Sequence, residues 1–196
     1  MTTTQAPKAP LLNIANALTV LRLVMVPVFV VLMLREGQGA RMAAALVFML
    51  AAATDRLDGQ LARSRNLVTS FGKIADPIAD KALTLSAFVL LSVAGRLWWW
   101  VTVLIIVREL GITLMRFVML RRAVMAASRG GKLKTALQVT GIFGLLVPWA
   151  AFVPPAPATA LDLTAYALVG SALVVTLVTG ADYVLKALRL SRADPG

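Results

Sequence analysis

Long runs without a charge alternate along the chain with short charged stretches, and the lengths of the runs predict helices that cross a membrane. Spans are expected over Leu18–Leu34, from near Arg41 to about Arg63, over Ile78–Ala94, from Leu97 to about Leu120, over Lys134–Val153 and over Ala160–Leu188. Leu11–Thr19 reads as a short helix lying at the membrane interface before the first span. Pro27 is expected to kink that span, Arg35-Glu36-Gly37-Gln38-Gly39 to turn the chain, and Pro154-Pro155-Ala156-Pro157 to separate the last two spans. The predicted fold class is therefore an all-α integral membrane protein with six transmembrane helices and a short N-terminal interfacial helix. One membrane domain occupies 11–190, between a disordered tail at 1–10 and a polar tail at 191–196.

Charge sets the expected orientation. Most Lys and Arg outside the spans fall before the first, between the second and third, between the fourth and fifth, and after the sixth. These segments should be cytoplasmic, which makes the protein multi-pass in the cytoplasmic membrane with both termini on the cytoplasmic side. Trp98-Trp99-Trp100 then falls at the opposite interface, where indole rings anchor.

Composition narrows the chemistry. The 196 residues are 59% hydrophobic, and their net charge of +11 is spread over short loops and not along one basic face, so nucleic acid is not an expected partner. Cysteine and histidine are both absent. That excludes disulfides, thiol nucleophiles, Cys/His metal sites, histidine bases and Ser-His-Asp triads, leaving carboxylates, Lys, Arg and hydroxyls. The N-terminal stretch lacks the pattern of a cleaved signal peptide, since its first apolar run carries Arg22 and no small-residue cleavage site closes it.

The candidate chemistry lies where two apolar runs meet charge. Met42–Thr54 leads without a charge into Asp55 and Asp58, and Asp76 and Asp80 lie just before the charge-free run Ala82–Ala94. At 100° per residue, Asp55 and Asp58 point about 60° apart on one helix, and Asp76 and Asp80 about 40° apart on the next. Two such helices side by side bring four carboxylates together, and these stay ionised only with compensating cations. All-oxygen ligation selects hard ions, Mg²⁺ or Mn²⁺, and four carboxylates suit two of them. A structural cluster with Arg56 and Lys81 is the competing reading. Gly59 and Ala62 give a bulky ligand room at the helix backbone, and the fork of Arg63 suits a phosphate, so the combination points to phosphoryl transfer.

A second charged group sits in the later spans. Arg108, Arg116, Lys132 and Lys134 are candidates for an anion pocket that takes an acceptor bearing its own phosphate. Glu109 and Arg116, seven residues apart on one helix, also fit a buried structural ion pair, and Lys132 and Lys134 also fit loop charges that set topology.

The pattern Asp55-x₂-Asp58-Gly59-x₂-Ala62-Arg63, eight residues, Gly72-x₃-Asp76-x₃-Asp80 resembles the signature of the CDP-alcohol phosphotransferase family. The resemblance implies that family's fold, a six-helix membrane enzyme usually found as a homodimer, which displaces CMP from a CDP-linked lipid or alcohol by an acceptor hydroxyl. It implies that Asp55, Asp58 and Asp76 are metal ligands, that Asp80 is a ligand which also deprotonates the acceptor, and that Gly59, Ala62, Arg63 and Gly72 contact the nucleotide. Asn13 to Arg22, Arg108-Glu109 and Gly131-Lys132-Leu133-Lys134-Thr135 resemble in particular the branch that uses CDP-diacylglycerol and glycerol 3-phosphate. The expected activity is phosphatidyl transfer to glycerol 3-phosphate, with membrane lipid, CDP-diacylglycerol and glycerol 3-phosphate as partners. Inositol phosphate and phosphatidylglycerol are alternative acceptors within the family; an intramembrane prenyltransferase and an ion transporter are alternatives outside it.

Overall fold

The structure, a computed structural model, describes residues 14–64, 70–119 and 129–193. It contains helices α1 (Ile14–Leu34), α2 (Gln38–Ser64), α3 (Ser70–Val93), α4 (Trp99–Met119), α5 (Arg129–Leu146) and α6 (Pro155–Ala193), with a 3₁₀ turn at Trp149–Ala151. There is no strand among the described residues. Two units divide the chain between Leu90 and Leu91.

The first unit is organised by the hairpin of α1 and α2. The rings of Phe29 and Phe48 are 5.8 Å apart, and Arg22 meets Asp55 seven residues back along α1 and seven forward along α2. Equal steps in opposite directions are what antiparallel helices require. Ala44, Ala45, Phe48 and Ala51 are buried on α2, and the small side chains of the three alanines let the helices approach closely. On α3 the buried residues Ala75, Ala79, Leu83 and Ala87 recur every four positions, placing Asp76 and Asp80 next to the buried stripe along the chain.

The second unit is built on α5 and α6. A Cβ at Gly141 would stand 2.8 Å from Val169 Cγ2, and one at Gly144 would stand 2.7 Å from the Ala165 Cβ, so these glycines set the approach of the two helices. Gly170 on α6 has open space around the same position. Gly144→Ala is therefore expected to destabilise the protein by about 1–3 kcal/mol through overpacking. Gly170→Ala should be neutral or slightly stabilising, because only the gain in helix propensity operates there. Thermal midpoints of the two variants in detergent check the contrast.

The turn after α3 closes with Gly95 at a φ of +66°, while Arg96 N–H bonds Leu91 O at 2.8 Å and Gly95 N–H bonds Ser92 O at 3.1 Å. This paired arrangement satisfies the last carbonyls of the helix and needs the left-handed conformation that glycine supplies. Arg96 then reaches α6, bonding Asp162 Oδ1 at 2.6 Å, and its carbonyl accepts from Tyr166 Oη at 2.8 Å.

Polarity is distributed inside out. Val103, Leu104, Val107, Leu110 and Leu114 of α4 and Val174, Leu177 and Val178 of α6 are exposed, whereas Asn16, Thr19, Arg22, Glu109, Lys134 and Gln138 are buried. In water such a surface would aggregate; in lipid it is the favourable arrangement. Trp98, Trp99 and Trp100 are all exposed at the start of α4, as ring anchors at a membrane boundary would be.

Several boundaries differ from the sequence expectation. Asn16–Leu34 and Pro155–Leu185 are the segments among the described residues long and apolar enough to cross a membrane, and Leu133–Leu146 is a shorter apolar helix. In α2 and α3 the charge-free runs Met42–Thr54 and Ala82–Ala94 are each shorter than a full span, and α4 carries Arg108 and Glu109 inside its apolar stretch. The expected interfacial helix over 11–19 is not a separate element from Ile14 onward, because no breaker separates Thr19 from Val20 and α1 runs straight through; 11–13 lie outside the described residues. Helix α1 also continues through Pro27. Helix α5 ends at Leu146 and not near Val153, since Pro148 follows. Helix α6 begins at Pro155 because proline, poor within a helix, is well suited to its first position.

Candidate functional site

Asp55 and Asp58 lie on α2, which extends past its apolar part to Ser64, and Asp76 and Asp80 both lie on α3. Gly59, Ala62 and Arg63 follow on α2, and Gly72 lies in the first turn of α3. The side chains of Asp58, Arg63 and Asp76, and the surroundings of Gly59, Ala62 and Gly72, lie outside the described residues, as do the side chains of Arg116 and Lys132. The side chains of Asp55 and Asp80 are described and half-buried.

Asp55 is fixed from α1. Its Oδ1 lies 2.7 Å from Arg22 Nη1, and the Arg22 side chain is 0% exposed while that of Asp55 is 38% exposed. One carboxylate oxygen thus faces a guanidinium, and the exposure of the side chain leaves the other able to take a second cation. A hard divalent ion fits such a donor, and the oxygen-only set at 55, 58, 76 and 80 is of the right chemical type. Among the described residues no three potential ligands gather. On α3, the backbone carbonyl of Asp80 accepts a hydrogen bond from Thr84 Oγ1 at 2.9 Å.

The second unit contains its own charge cluster. Glu109 Oε1 accepts from Arg108 Nη1 at 3.0 Å and from Lys134 Nζ, so a residue on α4 ties its neighbour to α5. Arg108 Nη2 also donates to Thr179 Oγ1 on α6 at 2.7 Å. Gly180 makes space for this side chain, since a Cβ there would lie 3.2 Å from Arg108 Cγ and 3.3 Å from its Nε. Of the four cations expected to form an anion pocket, the structure brings Arg108 and Lys134 together on one carboxylate. They are partly neutralised and not bare: two cations on one anion leave a single net positive charge. Arg108 Nε, Gln138 Nε2 and Thr176 Oγ1 are buried without a hydrogen-bond partner. Gln138 lies one helical turn beyond Lys134, and Thr176 almost one turn before Thr179.

Sequence reasoning gave Arg22 no site role and offered a Glu109–Arg116 pair only as the alternative, structural reading; the Arg116 side chain lies outside the described residues. A lone arginine in an otherwise apolar helix is the signal that could have found Arg22, since such a residue needs a buried partner. Asn16, Thr19 and Arg22 recur at three-residue steps and are all buried, so α1 carries a polar inward face that a count of charges misses.

Helical carboxylates on α2 and α3, a polar interior and an apolar exterior suit a membrane protein of the kind expected from the sequence pattern. The CDP-alcohol phosphatidyltransferase family model matches residues 12–181, and the chain belongs to this family. It is 46% identical over 187 residues to a probable phosphatidylglycerophosphate synthase of Mycobacterium tuberculosis, covering 94% of this chain and 86% of the relative. It is 35% identical over 172 residues to the CDP-diacylglycerol–glycerol-3-phosphate 3-phosphatidyltransferase of Rickettsia typhi, covering 87% of this chain and 94% of the relative. The similarly named protein of Bacillus subtilis is 35% identical over 148 residues, covering 69% of this chain and 77% of the relative.

Proposed function

We propose that the chain transfers the phosphatidyl group of CDP-diacylglycerol to the hydroxyl of glycerol 3-phosphate, releasing CMP and forming phosphatidylglycerol phosphate. The observation that carries this reading is the similarity, over nearly the whole chain, to enzymes named for that reaction, in a sequence that retains the full carboxylate pattern. The part-buried Arg108 and the buried Lys134 add cations suited to an acceptor that carries its own phosphate.

In this mechanism Asp55, Asp58, Asp76 and Asp80 hold two divalent ions, Mg²⁺ or Mn²⁺, which when bound neutralise charge on the donor diphosphate. Arg63 orients a phosphate, and Gly59, Ala62 and Gly72 leave the nucleotide room against the helix backbones. The Asp80 carboxylate takes the proton of the acceptor hydroxyl as its oxygen bonds the phosphatidyl phosphorus and the bond from that phosphorus to CMP breaks. Arg108, Arg116, Lys132 and Lys134 hold the acceptor phosphate, and the unspent Arg108 Nε adds a donor there. The fold is a single six-span catalytic domain over 11–190 with tails at 1–10 and 191–196, both termini and the active site cytoplasmic, working as a homodimer.

Lys132→Ala combined with Lys134→Ala is expected to raise KM for glycerol 3-phosphate at least tenfold and leave that for CDP-diacylglycerol nearly unchanged. Losing one charge-assisted hydrogen bond costs about 1.5–3 kcal/mol. Glu109 keeps Arg108 as a partner when Lys134 is removed, so the variant does not strand a buried anion. Equal effects on both substrates would move the acceptor pocket elsewhere. Incubation of the purified protein with CDP-diacylglycerol and one acceptor at a time tests the reading as a whole. CMP release should need glycerol 3-phosphate, and release with inositol phosphate or phosphatidylglycerol alone would overturn the acceptor.

A further inference from the structure

Among the described residues Arg22 is the largest fully buried side chain, and it lies on a helix that supplies none of the carboxylates. Its partner is not similarly buried: Asp55 is 38% exposed on its side chain against 0% for Arg22. A pair that only neutralised a stray charge would have no need to leave one member accessible. Here a fully enclosed guanidinium grips one oxygen of a carboxylate that remains open to a further partner.

The grip is rigidly placed. Two helical turns from it, Phe29 and Phe48 lock the same two helices, and the intervening α2 position Ala51 is enclosed. The register of the hairpin therefore fixes where the guanidinium stands, and the ion pair at 2.7 Å favours one orientation of the carboxylate. A carboxylate that must rotate into place to bind a cation loses affinity to the entropy of doing so. One already oriented by a partner outside the coordination shell does not.

We propose that Arg22 is a positioning residue for the divalent-ion site, presenting Asp55 with one oxygen engaged and the other turned to metal. The inference rests on the reading of Asp55 as a metal ligand. It predicts an effect whose sign separates it from simple electrostatics. A cation near a metal site repels the metal, so removing a bystander arginine tightens binding; removing a positioning arginine weakens it.

The test is direct Mn²⁺ binding to the purified full chain in detergent, followed by electron paramagnetic resonance without either substrate. Arg22→Met is expected to weaken Mn²⁺ binding at least tenfold, and Arg22→Lys, which keeps the charge but lacks the planar fork, to weaken it less. Arg22→Met in an Asp55→Asn background should add little further loss, because the residue acts through Asp55. If Arg22→Met does not fold, Arg22→Lys and the double variant with Asp55→Asn carry the same comparison. Unchanged or tighter Mn²⁺ binding in a folded Arg22 variant, with Asp55→Asn impaired, overturns the positioning role alone. Mn²⁺ binding by Asp55→Asn equal to the wild type overturns the ligand reading and the inference with it. A lowered thermal midpoint with unaltered Mn²⁺ binding identifies a purely structural pair and likewise overturns it.

Discussion

Asp76→Asn is expected to abolish turnover while the protein remains folded. The substitution keeps the volume and shape of the side chain and removes the charge, so packing around α3 is preserved while a hard cation loses an anionic ligand. Partners outside the coordination sphere commonly matter on the order of 10–100-fold, and a ligand itself should matter more than the upper end of that range. CMP release measured across a Mg²⁺ titration, beside a thermal midpoint, separates lost metal from lost structure. Near-normal rates at saturating Mg²⁺ would remove Asp76 from the metal set.

Asp80→Asn should fail at a different stage. A base acts after the ground-state complex forms, so the variant is expected to retain CDP-diacylglycerol and lose the chemical step, with kcat falling by roughly 10²–10⁴-fold. The position suits this, since Asp80 is half-buried beside the enclosed Ala79 and lies one turn past Asp76 on the same helix. Donor binding measured without acceptor provides the check. Loss of binding as severe as loss of turnover would make Asp80 chiefly a ligand.

What the sequence displayed well was anything local. The continuation of α2 past its apolar part through Arg63, and the placement of Asp76 and Asp80 on one helix, follow from periodicity over a few turns. Helix ends next to proline were less legible, because the same residue that stops α5 at Pro148 starts α6 at Pro155. Partners distant in sequence were least legible. Arg22 and Asp55 meet through the register of a hairpin, and Glu109 finds Lys134 on α5 through the packing of separate helices. Charge pattern identified which residues needed partners and left open which partners they would find.

The Arg108–Glu109 pair also bears on how the chain is made. Both residues belong to α4, so their 3.0 Å contact can form before α5 has emerged from the ribosome. Inserting a single charged side chain at the centre of a bilayer costs about 2.5–3.5 kcal/mol on translocon scales. A helix that carries its own counter-ion enters lipid closer to neutral. Lys134 arrives later, on α5, and its buried ammonium finds Glu109 already in place. Biosynthetic order and final architecture are thereby matched, with α4 serving as the template on which the next helix sheds its charge.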